Sequence, residues 1–122
     1  MMDISAVIMA LCGAVGAIAV GSVLHELTHW VVLRAAGRQP RYRLPRPQSG
    51  HLTHGVEFTA PQPIPWDIRL AAVAPVLTGG LLLAVIITNW SIIADPIALF
   101  VAIVAAIQAG KLSSIDIDIA TS

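Results

Sequence analysis

Charged side chains are scarce in this chain, at 11% of 122 residues against about 25% in an average soluble domain. The seven basic and seven acidic residues cancel. No net field of either sign therefore draws a nucleic acid or an acidic partner. Aromatic residues are few, and no basic tract is interleaved with them. That excludes the charge-plus-stacking pattern of nucleic-acid binding. The lone cysteine, Cys12, rules out an internal disulfide and reads as a small packing residue in an apolar run. The amino terminus lacks the basic region of a signal peptide. Asp3 stands there instead, and the apolar run behind it continues into a polar motif, so it reads as a retained transmembrane helix. No internal repeat is evident.

What is abundant is apolar surface. Hydrophobic residues reach 57% and the mean hydropathy is +0.81. A chain this small cannot hide so much apolar surface in water, so it reads as a single membrane-embedded domain. Three apolar segments organise it. Ile4–Leu24 carries no charge over 21 residues, enough to cross a bilayer, and continues amphipathically to about Ala36, with Gly37 as the stop. Leu70–Thr88 is also free of charge. The third segment starts at Asp95-Pro96, a helix N-cap followed by proline at the first helical position, and runs to Gly110. At 1.5 Å per residue it spans roughly 22 Å, less than the ~30 Å hydrocarbon core. Trp30, Trp66 and Trp90 fall near segment ends, as interfacial anchors do. Gly13, Gly16 and Gly21 can allow close helix approach.

A proline-rich polar stretch, Arg38 to Arg69, joins the first two segments. Arg41–Leu44 and Gly55–Thr59 alternate polar and apolar residues, and Gln48-Ser-Gly50 reads as a turn between them. The expected fold class is therefore an all-α membrane protein of three transmembrane helices with a small membrane-associated β-hairpin between helices 1 and 2. Its expected parts are helix 1 over 4–36, loop and hairpin over 37–66, helix 2 over 67–88, helix 3 over 92–112 and a C-terminal segment over 113–122. Arg34, Arg38, Arg41, Arg43, Arg46 and Arg69 lie in or beside the one loop, and Lys111 follows the third helix. The positive-inside rule puts loop 37–69 and the C-terminus in the cytoplasm and the N-terminus outside. The expected location is a prokaryotic cell membrane.

The first apolar run ends in His25-Glu26-Leu27-Thr28-His29. On a helix this spacing sets two imidazoles one turn apart on one face, where both can hold one zinc ion. Glu26 then lies beside the metal, placed to act as a general base toward water. Polar groups at membrane depth are costly unless they serve a site, so the motif reads as functional. A catalytic zinc takes a third protein ligand. Asp116, Asp118, Glu57, His51, His54 and Asp67 are candidates. Asp116 and Asp118 are preferred because they follow a membrane helix that can pack beside the first. In an extended segment both would share one face, one binding zinc and the other orienting a histidine. His51 and His54 read first as solvated loop residues, with His54 an alternative ligand.

His25-Glu26-Leu27-Thr28-His29 at the end of a membrane helix resembles the site-2 protease group of intramembrane zinc metalloproteases, in a small and divergent form. The resemblance covers nearly the whole chain. It implies a three-helix core with a hairpin after the first helix, His25 and His29 as ligands, and Glu26 as general base. Ala74-Pro75-Val76 is similar to that group's small-residue-plus-proline stretch. The group's usual Leu-Asp-Gly and asparagine-proline stretches are absent. Ser113-Ser-Ile-Asp116 is closer to the Ser-x-x-Asp pattern of its divergent members, which implies Asp116 as third ligand. Gln108, Ser113 and Ser114 are candidates for stabilising an oxyanion. The expected activity is zinc-dependent hydrolysis of peptide bonds in transmembrane substrates within the lipid bilayer, with oligomers allowed and no nucleic acid involved. The alternative is a non-proteolytic membrane zinc-binding or regulatory protein.

Overall fold

The structure, a computed structural model, describes residues 3–48, 51–57 and 62–121. Its elements in chain order are α1 (Ile4–Ala35), β1 (Arg41–Gln48), β2 (His51–Glu57), α2 (Trp66–Thr88), α3 (Pro96–Gly110) and α4 (Ser114–Thr121). Local chemistry sets most of the boundaries. Asp3 caps α1 through the Ala6 N–H at 2.7 Å. That contact and the Ser5 hydroxyl hold its carboxyl below the usual carboxylate range, the hydroxyl contributing most. At the other end Gly37 sits at φ 80°, a left-handed conformation that suits glycine. The Gly37 N–H donates to the Arg34 carbonyl and the Arg38 N–H to the Leu33 carbonyl, closing α1 with a Schellman motif. Asp95 accepts from the Ile97 N–H at 3.0 Å and Pro96 opens α3.

The expected fold class is corrected in several respects. Four helices, not three, are present among the described residues. The segment after Gly110 is not an extended tail but helix α4. Ser113 and Asp116 form a capping box, with the Asp116 N–H donating to Ser113 Oγ at 3.1 Å and the Ser113 N–H to Asp116 Oδ2 at 2.9 Å. Those two bonds outweigh the strand-like alternation of Ile115 to Ile119. Helix α3 is shorter than the expected 92–112, because Asn89 folds its amide back on the Val85 carbonyl and Pro96 starts the helix late. Among the described residues, only α1 and α2 are individually long and apolar enough to cross a membrane, with a third span if α3 and α4 count as one broken span. The class is not purely α, since β1 and β2 form an antiparallel ladder. Arg41 pairs with Glu57 and Gln48 with His51, and the register slips between Arg43 and Arg46, around Pro45 with its missing N–H. Its strands, Arg41–Gln48 and His51–Glu57, differ in bounds from the two short ones expected.

Two compact units share the chain, and both α1 and α2 contribute to each. The first comprises residues up to His25 with Val76–Lys111. Here small residues bring helices close. A Cβ on Gly21 would lie 2.7 Å from the Ala105 carbonyl, and one on Gly79 would lie 2.5 Å from Gly110 Cα. Of the other glycines in the α1 run, Gly13 meets Val101 and Gly16 faces open space. The Gln108 amide donates to Ser22 Oγ at 3.0 Å. Most large apolar side chains of this unit point outward, including Leu11, Val15, Leu77 and Ile87. Such a surface is tolerable where the surroundings are hydrocarbon.

The second unit comprises Glu26–Pro75 with residues from Leu112 onward. Its core is Leu33, Ile68 and Ala71, packed against Val32, Val56, Ile64 and Ile119. Arg38 makes a two-toothed ion pair with Asp67, at 3.1 and 3.2 Å, joining the end of α1 to the start of α2.

Candidate metal centre

His25, His29 and Asp116 are the buried polar or charged residues among those described, at 7%, 6% and 8% exposure. One ligand atom from each lies within 4.8 Å of the others. Burying three such groups together is costly unless something satisfies them, so this group can hold a metal ion. Helix α1 sets the two histidines one turn apart on one face. The unit boundary falls between His25 and Glu26, neighbours in this unbroken helix, so the helix itself relates His25 to His29. His29 Nε2 lies 3.2 Å from Asp116 Oδ1. Two ligand atoms each about 2.0–2.1 Å from one tetrahedral ion stand about 3.3 Å apart, so that separation suits shared coordination.

Each histidine is held from behind. His29 Nδ1–H donates to the Ala71 carbonyl at 2.8 Å, and His25 Nδ1–H to the Ala109 carbonyl at 3.1 Å. A carbonyl can only accept, so Nδ1 carries the proton in both bonds. A histidine held this way ligates a metal through Nε2. Asp116 is held as firmly. Its Oδ2 accepts the Ser113 N–H of the capping box while Oδ1 faces His29.

Within the second unit a cavity of about 300 Å³ is lined by Glu26, His29, Asp116, Val56 and Ser113 among others. Glu26 is half-buried, and its Oε2 accepts the Val56 N–H of β2 at 3.2 Å. No protein-family model, curated protein or solved structure matches this chain.

The structure brings together His25, His29 and Asp116, with Glu26 on the cavity wall. It does not bring Asp118 to them. In the extended segment expected from sequence, both aspartates would share a face. On helix α4 two residues are about 200° apart, and Asp118 is exposed while Asp116 is buried. Asp67 is committed to Arg38. The side chains of His51, His54 and Glu57 lie outside the described residues. Gln108 and Ser113 make the bonds given above, and Ser114 is exposed. Sequence reasoning missed the two carbonyls behind the histidines and the Val56 N–H behind Glu26. Only one of the three left a mark in the sequence, namely the proline inside α2.

Proposed function

We propose that this chain is an intramembrane zinc metalloprotease, hydrolysing peptide bonds in or near membrane-embedded segments of other proteins. The observation that supports it most is the buried group of His25, His29 and Asp116, with Glu26 next in sequence to the first histidine, on a helix apolar enough to cross a bilayer. Two imidazoles and one carboxylate are a donor set that catalytic zinc uses, leaving a position for water or substrate. The same set serves iron(II) in oxygenases, but a carboxylate base beside the first ligand favours hydrolysis. The resemblance to the site-2 protease group points the same way.

The ion, when bound, supplies Lewis-acid polarisation of a carbonyl and acidifies water. The remaining work falls to the chain. His25, His29 and Asp116 would hold the ion. Glu26 takes a proton from the attacking water as its oxygen bonds to the scissile carbonyl carbon. It returns that proton to the nitrogen as the carbon–nitrogen bond breaks. The Val56 N–H, donating to Glu26 Oε2 at 3.2 Å, holds the side chain in place for both transfers. A helical substrate must unwind first, since its carbonyls are already hydrogen-bonded. The arginines around loop 37–69 support a cytoplasmic side for that loop and for the chemistry.

The test is Glu26→Gln in proteoliposomes carrying single-span peptide substrates. The amide keeps the shape of the carboxylate but cannot take a proton at neutral pH. Cleavage should fall by about 10²–10⁴-fold with zinc retained. Near-normal cleavage would remove Glu26 from the mechanism. A wild-type chain that holds zinc yet cleaves no membrane substrate would favour the non-proteolytic metal-binding alternative.

A further inference from the structure

Pro75 lies inside α2, fully buried, with helix on both sides. In an unbroken helix the N–H of residue 75 would donate to the carbonyl of residue 71. Proline has no N–H, so that carbonyl loses its intrahelical donor. It is this carbonyl, on Ala71, that accepts His29 Nδ1–H at 2.8 Å. The residues are 42 apart in sequence. A buried carbonyl needs a partner, and a buried imidazole needs an acceptor. The missing N–H lets each satisfy the other.

We propose that Pro75 is a positioning residue for the metal centre, acting through the Ala71 carbonyl to lock His29 with Nδ1–H turned away and Nε2 turned toward Asp116. The inference rests on the metal-centre reading given above. The geometry on the far side agrees with it, since His29 Nε2 is the atom 3.2 Å from Asp116 Oδ1. His25 obtains its acceptor by a different local device. Ala109 is next to the last residue of α3, where helix carbonyls have no intrahelical donor left to accept from. The Ser113 N–H, which one more turn of helix would have aimed at Ala109, donates to Asp116 instead. Both ligating histidines are thus anchored on carbonyls released by a break in helix bonding, one by a proline and one by a helix end.

The test replaces Pro75 in the full chain with alanine and, separately, with L-lactic acid. Both replacements remove the ring and leave the same methyl side chain. Toward the Ala71 carbonyl they differ in that alanine restores an N–H at position 75 and the ester does not; the ester also makes the residue 74 carbonyl a weaker acceptor. Zinc affinity by chelator competition should weaken about tenfold or more in Pro75→Ala, in the range typical of losing a ligand's outer hydrogen bond. The lactic acid variant should stay within about twofold of wild type, having no donor to compete for Ala71. The hydrogen-bonded Nδ1 proton of His29, a downfield and slowly exchanging NMR signal, should persist in the wild type and the lactic acid variant and be lost in Pro75→Ala. Equal zinc affinity and an equal Nδ1 signal in the two variants would overturn the proposal. The NMR arm needs no metal. If the wild type bound no zinc, the metal centre would fall while this arm still decided the role of Pro75.

Discussion

Asp116 divides its two carboxylate oxygens between a helix cap and a ligand position. Oδ2 takes the Ser113 N–H, and Oδ1 faces His29 Nε2. Burial makes the residue costly by itself, and the contacts with Ser113 and His29 offset that cost. Asp118, two residues on, is exposed and touches neither histidine among the described contacts. The pair therefore gives a clean comparison. Asp116→Asn should weaken zinc binding by well over tenfold, because a neutral amide is a poor ligand for the ion. Asp118→Asn should leave affinity within about twofold, as exposed substitutions usually do. Isothermal titration of both variants in detergent checks the ranking, and a larger loss in Asp118→Asn would reverse the assignment.

The elements differ in how legible they were from sequence, and the reason is the range of the forces involved. Helix α1 stops just before Gly37 and α3 begins at Asp95-Pro96 because of contacts within five residues, so the local sequence alone pointed to them. Helix α4 was not legible. Alternating isoleucine and aspartate carries the period of a strand, and only the reciprocal bonds of Ser113 and Asp116 turn it into a helix. That error also misplaced Asp118. The histidine spacing was legible because the helix fixes it. The carbonyls behind the histidines were not, since they come from residues 84 and 42 positions away. Close packing in the first unit carries its own prediction. A Cβ at Gly79 would meet backbone atoms of Gly110 at 2.5 and 2.8 Å, and backbone cannot step aside cheaply. Gly79→Ala should cost roughly 1–3 kcal/mol, as overpacking does. Its neighbour Gly80 has nothing within 4 Å of the added atom, so Gly80→Ala should be neutral or stabilising by about 0.5–1 kcal/mol. Thermal unfolding in one detergent compares the two.

At the scale of the whole molecule, two or three helices can cross a membrane, and the orientation proposed above rests on the basic residues. Six arginines in or beside the 37–69 loop make the inverse insertion unfavourable. In a Cys12→Ala background, Gln62→Cys and Thr121→Cys should resist an impermeant thiol reagent in intact cells, while Ser91→Cys should react. Labelling of the first two would invert the topology. An odd number of spans is required for this pattern, so the same assay decides whether α3 and α4 together cross the bilayer. The central claim is the metal centre itself, and the most direct test is metal content. Elemental analysis of the purified full chain should find about one zinc per chain, the stoichiometry of a single catalytic site. His25→Ala and His29→Ala, prepared the same way, should hold little. A wild-type chain without zinc, or full occupancy in both histidine variants, would contradict the claim.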